Sequence, residues 1–193
     1  MDSKIPQVDF IIPSWVTDLI DSSFEKGSKA WTYYMTHCIM VTRFALEVAE
    51  KKREMNLNRS LLIEGGMLHD IGICKVNAPE IGCYGEHPYI AHTWLGRQIV
   101  EEAGHPDAAL FCERHIGTGL SREDILKAGF PLPARDMLPE TPEEKLICYA
   151  DKFFSKSERY LTTPRTIEEI RKKVLKYGPD KLEAFNELHR LFS

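Results

Sequence analysis

An all-α fold is predicted by three features of the sequence. Apolar residues recur at i, i+3 and i+4 from end to end, strand-like alternation is scarce, and Ser, Asn, Thr, Pro and Gly punctuate the pattern where helices start and stop. With 193 residues the chain can bury one sizeable core, and it reads as one domain over 1–193 with helices added at its termini.

Ser14 is expected to cap a first helix that runs to about Lys26 and ends at Gly27. Ser28 or Lys29 opens a long second helix in which Trp31, Tyr34, Cys38, Val41, Ala45 and Val48 share a face. Asn58 or Ser60 starts a third that reaches His69. Its Gly65-Gly66 pair lacks the strand and the following Lys-Ser/Thr of a phosphate loop, so it marks a close approach to another helix. Cys74 to His87 carries Pro79 and turn signals at Asn77, Gly82 and Gly85, and reads as a loop. Pro88 suits the first turn of a helix to about Ala103, and Pro106 with Asp107 begins another that ends near His115. Ser121 to Lys127 is a short capped helix, followed by a proline-rich crossing segment from Phe130 to Pro142. Pro142, Glu143 and Glu144 start the helix that carries Asp151, with an acidic first turn matched to the helix dipole. Helices over Thr166 to Tyr177 and Pro179 to Phe192 complete the pattern.

A net charge of -4 provides no electrostatic footprint for nonspecific nucleic-acid binding, which points to a small ligand. No apolar stretch approaches the roughly 20 residues of a membrane span. Met1 to Phe10 carries charges and Pro6, unlike a signal peptide, and the five cysteines form no CxxC pair. The expected setting is a reducing cytoplasm.

His69 and Asp70 stand side by side before Ile71-Gly72. Neighbouring helix residues point about 100° apart, so the two converge on one ligand only where the helix ends or bends, as Gly72 permits. His37, His92, His115 and Asp151 are further candidates on predicted helices or at their ends. Four imidazoles and two carboxylates suit Fe, Mn, Zn, Ni or Co. Six ligands exceed the needs of one ion, and Asp70 as a bridge would let them serve two ions roughly 3.5–4 Å apart. A histidine taken alone is ordinarily a core or surface residue, and spacing leaves the convergence open.

The order His37, His69-Asp70, His92, His115, Asp151 resembles the HD-domain superfamily of metal-dependent phosphohydrolases, over about Tyr33 to Lys156. The strings Leu68-His69-Asp70-Ile71-Gly72, Glu113-Arg114-His115-Ile116-Gly117 and Tyr149-Ala150-Asp151-Lys152, with Gly96 after His92, are most similar to its HDIG subgroup. More distantly they resemble the bacterial symmetric diadenosine tetraphosphate hydrolases. The resemblance implies an HD-domain helical bundle with a core at about 29–156 and terminal helical extensions. It also implies His37, His69, Asp70 and Asp151 on one divalent ion, and Asp70, His92 and His115 on a second. The implied substrate is a phosphoester or phosphoanhydride, of a nucleotide or dinucleotide. The chain departs from many HDIG proteins in having Ile73 rather than a basic residue after the glycine, with Lys75 further on. It also lacks the Gly-Tyr-Pro motif of cyclic-di-GMP phosphodiesterases. Rival readings are a mononuclear nucleotidase on His37, His69, Asp70 and Asp151, a mixed-valence di-iron oxygenase, and a nucleotide-binding module without catalysis.

Around the candidate ligands, Lys152 reads as a surface charge, a partner of a ligand or a phosphate contact in catalysis, and His87 as an exposed loop residue or a general acid for the leaving alkoxide. Lys75, Arg122 and Arg135 are candidates for substrate phosphates. Tyr84, Tyr89 and Trp94 could stack on a base or belong to the core. His105 and His189 read as exposed and structural.

Overall fold

Ser28, Asn58, Ser121, Thr141 and Thr166 each accept a backbone N–H from the first turn of the helix they precede. These bonds satisfy donors that a helix start leaves free. The computed structural model describes residues 5–193. Its helices are α1 (Ser14–Ser23), α2 (Lys29–Lys51), α3 (Arg59–Leu68), α4 (His92–Glu102), α5 (Pro106–Arg114), α6 (Arg122–Ala128), α7 (Pro142–Asp151), α8 (Ile167–Val174) and α9 (Pro179–Phe192). A hairpin of two short strands, β1 (Asn77–Ala78) and β2 (Cys83–Tyr84), pairs Asn77 with Tyr84 and Ala78 with Cys83. No helix among the described residues is long and apolar enough to cross a membrane.

Several helix boundaries differ from expectation, among them the end of α8, which stops at Val174 and passes into a 3-10 turn over Leu175–Tyr177. Ser14 is the first helical residue of α1 rather than its cap, because the Pro13 carbonyl already accepts from Val16 and Thr17 at 3.0 and 3.2 Å. That helix stops at Ser23 because Phe24 turns extended to pack its ring 4.5 Å from Tyr34. Pro88 precedes a 3-10 turn over Tyr89–Ala91, and α4 proper begins only at His92.

The core is built by α2, α3, α5 and α7, which bury Ile39, Leu62, Met67, Leu68, Phe111, Leu146 and Ile147. Gly65 and Gly66 lie where α3 meets its neighbours: a Cβ on Gly65 would enter the Phe111 ring, and one on Gly66 would come within 3.1 Å of the Thr42 backbone. This is the close approach expected of the pair. At the other end α9 covers α7, where Tyr149 donates or accepts a 2.9 Å bond with His189 Nδ1 beside buried Phe185. His189 is thus half-buried rather than free, as is His105, whose ring stacks 3.5 Å from Trp15.

Candidate metal centre

Five helices deliver the six expected ligands to one place. His37 sits within α2, His69 and Asp70 just beyond α3, His92 at the start of α4, His115 just beyond α5, and Asp151 at the end of α7. The backbone leaves α3 at His69, and Asp70 adopts φ -106° and ψ 7°, outside the helical region. The adjacent pair is therefore freed from its helical divergence before Gly72, not at it. Gly72 is needed for another reason: a Cβ there would strike the His92 carbonyl and come within 2.5 Å of the Gly96 amide. Two glycines let α4 lie directly on the Ile71–Lys75 turn, which brings His92 beside Asp70.

Potential donor atoms of His37, His69, Asp70 and Asp151 lie within 4.8 Å of one another, and so do those of Asp70, His92 and His115. Asp70 belongs to both groups. Its Oδ2 is 3.0 Å from His37 Nε2 and 3.1 Å from His69 Nε2, whereas its Oδ1 is 3.2 Å from His92 Nε2 and 3.5 Å from His115 Nε2. Asp151 Oδ1 adds contacts of 3.1 Å to His37 and 3.7 Å to His69.

The histidine orientations fit metal coordination. Nδ1 of His69 faces the Gly66 carbonyl at 2.9 Å, that of His92 the Tyr89 carbonyl at 2.5 Å, and that of His115 the Cys112 carbonyl at 2.9 Å. A carbonyl only accepts, so each Nδ1 carries a proton and each Nε2 is left to face inward, with a lone pair for a metal wherever the ring is neutral. His92 Nε2 and His115 Nε2 consequently face each other at 3.2 Å. Asp70 Oδ1 is buried without a well-directed hydrogen bond. Lone pairs and an unsatisfied carboxylate oxygen gathered in the interior are costly unless a cation joins them. Nitrogen and oxygen donors of this kind suit a divalent transition metal.

Electrostatics keep the carboxylates ionised. Burial disfavours charge on both, but Lys156 beside Asp70 and Lys152 beside Asp151 hold both carboxyls well below the usual range. Burial likewise opposes charge on His69, yet the Asp70 charge raises its pKa to about 9, while burial lowers that of His115 to about 4.

His37, Asp70, His92, His115 and Asp151 floor a cavity of about 440 Å³, with His69 buried beneath it. Lys152 lines it, held 2.7 Å from Asp151 Oδ2 and 3.3 Å from the His115 carbonyl, and Tyr89 lines it too. The other expected substrate contacts lie elsewhere. Lys75 is exposed on a separate groove with Leu19 and Glu102. Arg122 is exposed and only its backbone is engaged, with Asp136. Arg135 binds the buried carboxylate of Glu113, which Arg97 binds from the other side, and covers the Trp94 ring. Burying Glu113 demands its cations, so Arg135 is committed to the fold. His87 and Tyr84 are exposed and outside the cavity lining.

The cavity cations are instead Lys152, Lys156, Arg165, Lys173 and Lys181. Lys156 pairs with Asp70 Oδ2 and lies 5.9 Å from the centre of the Tyr89 ring. Its place five residues after Asp151 was the one available clue, since the chain turns back over the site immediately beyond α7. Arg165, Lys173 and Lys181 have no local signal at all.

Comparison with known proteins identifies the family and the fold. An uncharacterised protein of Methanocaldococcus jannaschii is 34% identical over 126 residues, spanning 64% of this chain and 67% of that one. A tRNA (cytidine(56)-2'-O)-methyltransferase of Thermoplasma volcanium is 31% identical over 162 residues, 83% of this chain but only 42% of the relative's length. The crystal structure of the HD domain of the L. monocytogenes phosphodiesterase PgpH matches the fold with a TM-score of 0.51 at 19% identity, covering 88% of this chain and 94% of that one. The HD domain family model matches residues 34–155, from within α2 through the turn after α7. A match over more than half of the sequence, enclosing all six candidate ligands, settles the family: the chain belongs to the HD-domain superfamily of metal-dependent phosphohydrolases.

Proposed function

We propose that the chain hydrolyses a phosphoester or phosphoanhydride of a small substrate, a nucleotide or dinucleotide, with two divalent ions. The observation that carries this reading is the division of Asp70, whose Oδ2 faces His37 and His69 while its Oδ1 faces His92 and His115. His37, His69, Asp70 and Asp151 would hold one ion, and Asp70, His92 and His115 the other. Such a pair, when bound, supplies a hydroxide nucleophile near neutral pH and neutralises charge on the phosphoryl group.

The remaining work falls to the protein. Carbonyls of Gly66, Tyr89 and Cys112 fix the imidazole orientations before substrate arrives. Lys152 ties Asp151 to the His115 carbonyl, one ligand from each group, and acts as a positioning residue. Lys156, at Asp70 and on the cavity surface, is the cation best placed to meet phosphoryl oxygens. Ile116, Leu120, Phe130 and Phe154 provide apolar walls that limit water and leave room for a base or sugar.

The test combines metal analysis of protein purified without chelator with a phosphatase and nucleotide panel in Mn²⁺, Fe²⁺, Co²⁺ or Ni²⁺. Reactions run anaerobically in ¹⁸O-labelled water should proceed at full rate and place the label in the phosphate-containing product. A requirement for O₂, or absence of label from that product, would overturn the reading.

A further inference from the structure

The last two helices lie beyond the residues that match the HD family, yet they wall the metal cavity as well as the core. Lys173 and Val174 come from α8, Tyr177 from the turn after it, and Lys181 from α9. The cavity cations divide into matched and unmatched charges. Lys152 meets Asp151, Lys156 meets Asp70, and Lys181 meets Asp124 at 2.5 Å. Arg165 donates to the carbonyls of Lys152 and Phe154 and to Ser155 Oγ, all neutral acceptors. Lys173 has no carboxylate within 4.0 Å among the described residues. Lys173 keeps much of its side chain open to solvent at the cavity wall, and its pKa is lowered by the burial of the rest and then by the neighbouring charges of Arg165 and Lys152. In the same cavity Thr118, between Gly117 at φ +60° and Gly119 at φ +93°, holds a buried hydroxyl without a partner.

We propose that Lys173, beside the fixed charge of Arg165, forms a second anion subsite through which the C-terminal helices select substrates bearing a phosphate in addition to the one cleaved. Cleavage of the first phosphate rests on the phosphohydrolase reading; the subsite is a binding property and is tested as one. A cation at the cavity wall with no carboxylate of its own is free to make a charge-assisted bond to an anionic group of the substrate, and Arg165, engaged only by neutral acceptors, leaves its charge uncompensated in the same lining.

The probes are ATP and AMP, titrated calorimetrically into the full chain without added metal. Lys173→Met should weaken ATP about tenfold, the usual worth of one charged hydrogen bond, and AMP no more than about twofold. Lys173→Glu should weaken ATP further, and Lys173→Arg should retain it. Lys172→Met, which removes the same charge from a residue outside the cavity, should change neither. Equal losses for both nucleotides, no loss, or an equal effect of Lys172→Met would overturn the subsite. Hydrolysis of ATP and p-nitrophenyl phosphate with Mn²⁺ separates the two readings. Lys173-dependent ATP binding without release of phosphate from either compound would retain the subsite and reject the hydrolase. Turnover of both compounds with no change in their ratio on Lys173→Met would do the reverse.

Discussion

Gly72→Ala is a small substitution whose effect should reach the metals. The new Cβ would meet the His92 carbonyl and the Gly96 amide, and both are backbone atoms that no side-chain rotation can move. Overpacking of this kind costs about 1–3 kcal/mol, and the backbone obstacle argues for the upper end. Alanine also narrows the unfolded ensemble, which offsets roughly 0.4–1 kcal/mol, so the net loss should be about 2 kcal/mol. For a chain of this size that corresponds to a Tm lower by about 4–8 °C. Relief of the clash requires α4 to lift, which draws His92 Nε2 away from Asp70 Oδ1, now 3.2 Å distant. Thermal unfolding followed by circular dichroism should show the lower Tm, and, with the proposed two-ion site, elemental analysis should show one ion depleted. An unchanged Tm together with full occupancy would refute the argument that Gly72 exists for close packing of α4 on the His-Asp turn.

Asp70→Ala should abolish turnover and empty both metal positions, whereas His115→Ala should chiefly deplete one; equal and mild effects on metal content would refute the bridging assignment. Chelation should lower the Tm, because it re-exposes the opposed Nε2 lone pairs of His92 and His115 to each other, and readdition of metal at about 100 times its Kd should restore about 2.7 kcal/mol. Glu113→Ala leaves Arg97 and Arg135 without their shared buried carboxylate and should cost about 1–3 kcal/mol in urea unfolding, the upper bound set by the partial exposure of both arginines. Arg135→Ala should reduce stability while leaving KM for p-nitrophenyl phosphate unchanged; a several-fold rise in KM would return Arg135 to the substrate site.

Local chemistry wrote much of this fold into the sequence. Side-chain caps at Ser28, Asn58, Ser121, Thr141 and Thr166, and the apolar period between them, act within one or two helical turns. The predicted helices therefore appear in the expected order; the differences fall at ends such as Ser14 and Pro88, where a proline carbonyl or a 3-10 turn takes over the terminal hydrogen bonds, and in the expected loop from Cys74 to His87, which holds the β1–β2 hairpin. The six candidate ligands were also legible, through the His69-Asp70 pair and the family resemblance. Only tertiary structure decided how they meet, because the separate orientation of each Asp70 oxygen depends on α2, α4 and α5 arriving from different directions. The same is true of the cations. Nothing local distinguishes Arg135 from Arg165, but one lies against the buried carboxylate of Glu113 and the other against neutral acceptors in the cavity wall. A charge acquires its role from the partner that folding places beside it, and for these residues that partner lies ten or more positions away in the chain.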